Sequence, residues 1–136
     1  MKTTKNKIKD KTELYRLIVE SLFPQELVQN FDLVHVEVKD DTIDTFFDEK
    51  RICPEDYQPD ELTPNGYTEP SVIQDFPIQG KNVTLHVRRC RWTRKSDKKN
   101  IVKSWNLTAK GTHYSVAFAA FLKGMLGYAP SDGQIA

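Results

Sequence analysis

Between positions 86 and 105 the chain reads HVRRCRWTRKSDKKNIVKSW. These residue types suit the binding of a polyanion. An arginine fork grips a phosphate through two parallel hydrogen bonds, a lysine adds a point charge, and a tryptophan offers a flat face for a base. Grouped on one strand–loop–strand unit, they suit docking of a β-ribbon on a nucleic-acid backbone or groove. The candidate contacts are Arg88, Arg91, Trp92, Arg94, Lys95, Lys98, Lys99 and Lys103. Arg88, Arg89 and Arg91 have a second reading, neutralisation by the chain's own acidic hairpin, which is favoured most for Arg89 and Arg91. Unless a bulge intervenes, those two continue the parity of Val83, Leu85 and Val87 and start on the core side. Buried cations need carboxylate partners there, and an acidic hairpin carrying Glu37, Asp44 and Asp48 would supply them. On that reading, Arg89→Ala destabilises the fold.

The net charge of +1 conceals two opposed blocks. Positions 40–75 hold eleven acids against Lys50 and Arg51, and positions 81–110 hold ten bases against Asp97. Segregation of this kind speaks about fields and partners rather than fold.

Other chemistries find less footing. Cys53, Cys90, His35, His86 and His113 are present, but no spacing matches a zinc module. In C-P-E-D at 53–56, Asp56 stands where a knuckle would carry its second cysteine. No metal or other cofactor is expected, and two isolated cysteines do not indicate a disulfide framework. The chain has no G-x-S-x-G, P-loop, H-E-x-x-H or G-x-G-x-x-G motif. Its adjacent acid pairs, Asp40-Asp41 and Asp48-Glu49, look like turn and strand-end residues. Without a cleft that splits their pKa values, such pairs are not a general acid and base. No catalytic residue is assigned.

The elements that would position the basic run follow from periodicity. With 136 residues, 38% of them hydrophobic and 29% charged, the chain suits one globular domain. Residues 1–11 read as a flexible basic arm, 12–127 as a single α+β domain, and 128–136 as a tail. Leu14, Leu17, Ile18 and Leu22 lie on one helical face, and Pro24 ends that helix and suits the first turn of another. Val34, Val36 and Val38 alternate with polar residues as a strand. A turn at Asp40-Asp41 would set them against Phe47, Thr45 and Ile43 on a core face, with Glu37 opposite Asp44. Residues 50–80 hold five of the seven prolines and read as a long irregular connection with short extended pieces. A second hairpin follows. Its first strand runs from Val83 to Trp92, its loop from Arg94 to Asn100, and its return strand near Ile101–Leu107, anchored by Val102 and Trp105. A C-terminal helix starts from Thr112 as N-cap, buries Val116, Ala117, Ala120, Phe121 and Met125, and ends at Gly127. Ser131 and Gln134 have capping-box spacing, so the tail reads either as disordered or as the start of a further helix. No apolar run reaches membrane-spanning length and no secretory signal is evident, which points to the cytoplasm.

Two runs carry a family resemblance: G-K-x-V-x-L-H-V-R-R-x-R-W at 80–92 and A-K-G-T…F-A-A-F-L-K at 109–123. With FDLVHVEVKDDTIDTFFDEK before them and PSDGQIA after, nearly the whole chain resembles the N-terminal region of bacterial insertion-sequence transposases. The resemblance implies a non-catalytic accessory part that binds transposon-end DNA. In such elements the Asp-Asp-Glu catalytic domain lies downstream or on a separate chain, which would be a partner. Carried over, Cys53 is a vestigial knuckle position, Arg88, Arg89, Arg91 and Trp92 form the Arg-rich strand, and Ser131 to Ala136 open a helix-turn-helix. The rival expectation is a protein–protein module that docks a partner through the acidic loop 50–75, with Tyr57 and Tyr67, or through the basic hairpin. Salt separates the two, because only phosphate contacts impose a steep dependence.

Overall fold

The large sheet is built around a parallel pair, which the reading by hairpins does not anticipate. In the computed structural model, which describes residues 10–127, the first strands are β1 (Phe31–Val38) and β2 (Thr42–Glu49). They form the antiparallel hairpin expected at Asp40-Asp41. Strand β2 then runs parallel to β5 (Lys81–Arg88). A parallel neighbour requires a long crossover, and the Pro-rich stretch 50–80 is that crossover. It is more structured than a loop. It contains β3 (Leu62–Tyr67) and β4 (Ser71–Ile78). Strand β4 returns as the antiparallel partner of β5, through a turn at Gln79-Gly80 with φ of 51° and 76°. Two positive φ values in a two-residue loop suit the right-handed twist of a hairpin. The sheet order is β1-β2-β5-β4. Pro77 lies on β4, an edge strand, where a missing N–H breaks no ladder.

Beyond Arg88 the chain changes sheets. Strands β3, β6 (Cys90–Arg94) and β7 (Asn100–Ile101) make a second, three-stranded sheet. Arg89 lies at the seam. Its backbone N–H donates to Thr68 Oγ1, and its carbonyl accepts from the Thr68 N–H. The expected return strand at Ile101–Leu107 therefore shrinks to Asn100–Ile101, paired with β6 rather than with β5.

The main core comprises Leu27, Phe31, Phe47, Ile73, Val83, Leu85 and Val87, with Trp105 and Leu107 packed against it. Complete burial of each such side chain stabilises by roughly 1.5–3 kcal/mol. Short helix α2 (Gln25–Asn30) contributes Leu27. A smaller core joins Leu62, Cys90 and Trp92, flanked by Cys53, Tyr57, Tyr67 and Ile101.

Several expected burials fail. Helix α1 (Lys11–Leu22) buries no residue, and Leu14, Leu17, Ile18 and Leu22 are all exposed. Val34, Val36 and Val38 are exposed as well. A register shift between Leu33 and His35 makes Leu33, rather than Val34, the partner of Phe47. Such a shift moves side chains across the sheet, because their period is two residues. The C-terminal helix α3 (Val116–Leu126) is capped by Ser115, not Thr112, and ends at Gly127 in the left-handed region as expected. Only Ala119 is buried along it, so Val116, Phe121 and Met125 are not core residues. Of the arm expected at 1–11, Asp10 caps helix α1 and Lys11 begins it; residues 1–9, like the tail at 128–136 with its capping box, lie outside the described residues.

Candidate nucleic-acid interface

Strand β6 shows how the basic run is divided. The sheet change at Arg89 reverses the side-chain parity: Cys90 and Trp92 turn inward and Arg91 turns out. The core-side placement expected for Arg91 is thus corrected. Its Nε donates to the carbonyl of Asn65 at 3.2 Å, and no carboxylate holds it among the described residues. Trp92, expected as a stacking face for a base, is 6% exposed within the small core. One of its faces is covered by the Arg51 guanidinium, 5.1 Å from the ring centroid.

Two of the expected contact arginines are held by acids. Arg88 forks onto Asp48, with Nε to Oδ1 at 2.7 Å and Nη2 to Oδ2 at 2.6 Å, and lies over the Tyr67 ring. The Asp48 hydrogen bonds raise its pKa, against a smaller opposing effect of burial. This is the neutralisation by the acidic hairpin that the sequence suggested for Arg88, Arg89 and Arg91, and among the described residues it reaches Arg88 but neither Arg89 nor Arg91. Within that hairpin, Glu37 does face Asp44. The repulsion is offset because Asp44 also meets His86 at 2.9 Å and Lys39 at 3.3 Å. The His86 hydrogen bond, chiefly, holds the Asp44 carboxyl below its usual range.

Arg94 forks onto Asp97 at 2.9 and 2.6 Å, within the loop that joins β6 to β7. This pair organises the loop. The Lys98 N–H donates to the Arg94 carbonyl, the Arg94 N–H to the Lys99 carbonyl, and the Lys99 N–H to Asp97 Oδ1. Within the frame Lys98 adopts φ of 62°, a left-handed conformation that costs a residue with a Cβ roughly 1 kcal/mol or more. The outcome is three lysines, Lys95, Lys98 and Lys99, all exposed and with no ion-pair partner among the described residues. Lys103, further on, lies 4.3 Å from the Trp105 ring centroid.

The two thiols belong to structure. Cys90 Sγ–H donates to the carbonyl of Glu49 at 3.3 Å, and burial, reinforced by the Glu49 charge, pushes the thiol up to about 11. Cys53 Sγ lies 3.6 Å from the carbonyls of Pro54 and Tyr57, and both cysteines are free. Among the described residues, no three His, Cys, Asp or Glu side chains converge as a metal site. Glu49 does end a strand, as the sequence suggests, but its buried role is one that sequence reasoning missed. It is a buried carboxylate that accepts from Cys90 N–H at 2.7 Å and from Trp105 Nε1–H at 3.1 Å, tying the two sheets together. Its place beside Thr45 and Phe47 on the inward parity of β2 was the available signal. Among the described residues, no helix is long and apolar enough to cross a membrane. No family model, curated protein or solved structure matches the chain.

Proposed function

We propose that this domain holds a nucleic-acid backbone without catalysing a reaction, as the DNA-binding accessory part of a cytoplasmic transposase. The observation that carries the reading is the loop between β6 and β7. An ion-paired frame presents Lys95, Lys98 and Lys99 exposed, none of them in an ion pair among the described residues. A patch of this kind contacts phosphates and sets register, and it carries no sequence information of its own. Arg91 and Lys103 extend it. Arg94 shapes it through the fork onto Asp97, while Arg88 and Trp92 are engaged within the fold. The likeness of the 80–92 and 109–123 runs to transposase N-terminal regions supports transposon ends as the target, with a separately encoded catalytic chain doing the cutting. The test is duplex binding against salt. The logarithm of affinity should fall against that of salt with a slope near −0.9 per phosphate held. Lys98→Glu with Lys99→Glu should lower affinity by about tenfold or more at low salt, with the melting curve unchanged. Unchanged duplex affinity in that variant refutes the patch.

A specific observation also favours a protein contact, though not at the acidic loop. Tyr57 and Tyr67 are partly buried against the small core. Helix α3 instead leaves Phe121 and Met125, four residues apart on one side of the helix, exposed, a contact suited to the catalytic partner chain. Binding through that face would depend only weakly on salt.

A further inference from the structure

The cation that the sequence marked as needing an internal carboxylate does not have one. Arg89 sits at the seam between the sheets, and its Nε is buried without a hydrogen-bond partner. No carboxylate pairs with its guanidinium among the described residues. The acids near the ends of the neighbouring strands are engaged elsewhere. Asp48 holds Arg88, Glu49 holds Cys90 N–H and the Trp105 indole, and Asp75 accepts from Ser115 Oγ at 2.8 Å. A buried donor left unpaired is costly, and a charged one more so.

Arg89 lines a half-open cleft of about 170 Å³. The cleft also presents the hydroxyl-bearing residues Ser71 and Thr108, the wall of Trp105, and an apolar floor of Ile73 and Val87. None of the described residues that line it is acidic. Its polar side chains are thus a guanidinium and two hydroxyls: donors with a positive charge and no competing anion. That combination selects a tetrahedral oxyanion, which can accept from a guanidinium and from hydroxyls together.

We propose that the Arg89 cleft is a phosphate-binding site. The phosphate group is either a backbone phosphate of bound nucleic acid, an assignment that rests on the reading above, or free inorganic phosphate, which does not. The cleft differs from the lysine loop in kind. It is one pre-shaped position with a floor and walls, whereas the loop is a solvated cluster of point charges.

The experiment uses the full chain and inorganic phosphate, with chloride at matched ionic strength as the control. Phosphate should raise the melting temperature by roughly 5 °C at saturating concentration, and the rise should vanish in Arg89→Met. It should persist in Lys98→Glu with Lys99→Glu, so loss of the duplex reading leaves this result standing. In phosphate-free buffer Arg89→Met should melt no lower than the parent, because the guanidinium removed has no hydrogen-bond or ion-pair partner among the described residues. In the unaltered protein, the Arg89 Nε–H resonance should shift on phosphate addition, a readout that does not depend on how any variant folds. Duplex titration then separates the sources. A salt slope shallower by about 0.9 in Arg89→Met identifies a backbone phosphate, and an unchanged slope identifies the free anion. Equal melting in phosphate and chloride, together with an unmoved Nε–H resonance, overturns the site.

Discussion

The basic run behaves as two different materials on either side of Thr93. From His86 to Trp92 its side chains, Arg89 excepted, are engaged in the structure: His86 on Asp44, Arg88 on Asp48 and Tyr67, Trp92 in the small core under Arg51. From Lys95 to Lys99 the only engaged side chain is Asp97, and it serves to hold the loop's shape. The difference follows from neighbours. The first half lies on strands beside an acidic hairpin, where carboxylates are within reach and solvent is partly excluded. The second half leaves the sheet, and its lysine side chains lie in solvent. A cluster of cations in sequence is thus not one site. Its strand part is attached to the fold, and its loop part is what a partner can meet.

The most severe way to break this contrast is at the carboxylate joining the sheets. Glu49→Ala should destabilise by about 3 kcal/mol, since it leaves the Cys90 N–H and the Trp105 indole buried without an acceptor. Urea denaturation monitored by tryptophan fluorescence measures this directly, and a loss below 1 kcal/mol would mean that the sheets are not held together there. Next comes Arg51→Ala. Arg51 donates to the carbonyls of Arg91 and Gly66 and lies over both Tyr67 and Trp92. Its removal should cost about 2 kcal/mol in the same assay. Arg51→Lys should recover only part of this, because an ammonium cannot span two carbonyls and two rings as a planar fork does.

The α+β class, the N-terminal helices, the first hairpin and the C-terminal stop at Gly127 were legible in the sequence, each through a local signal. Pro24 marks a helix boundary, Asp40-Asp41 a turn, and Gly127 a left-handed cap. What was not legible is non-local. The β4 strand lies in a Pro-rich stretch, and its Gln79-Gly80 turn lacks the Asn or Asp that usually announces a hairpin. The parallel pairing of β2 with β5 has no signature within either strand. The sheet change at Arg89 is set by Thr68, twenty-one residues earlier. That single event decides which arginines face water, so the lysine positions of the candidate site could be read from composition and the arginine positions could not. The apolar face of α1 was read correctly as a stripe, but a stripe in sequence does not say whether this chain buries it.

The exposed half offers the finest test. The Arg94 fork, aided by the Lys99 N–H, pushes the Asp97 carboxyl down to about 2. A carboxyl whose folded pKa is depressed contributes stability at pH values above its unfolded pKa, about 3.9, and that contribution disappears as pH falls toward and through the folded value. Loop order should therefore be complete at neutral pH and decline between about pH 4 and 2. The effect on global stability should be small, because both partners are solvent-exposed. The Asp97 carboxyl carbon, followed by NMR, should titrate near 2, and in Arg94→Gln it should return toward the ordinary carboxylate range. The amides of Lys98 and Lys99 should shift with the same midpoint, since their hydrogen bonds are built on that pair. An Asp97 that titrates like a solvated acid would leave the lysines on a loop without a frame. Their placement would then be an average over many shapes rather than a surface to which phosphates could register.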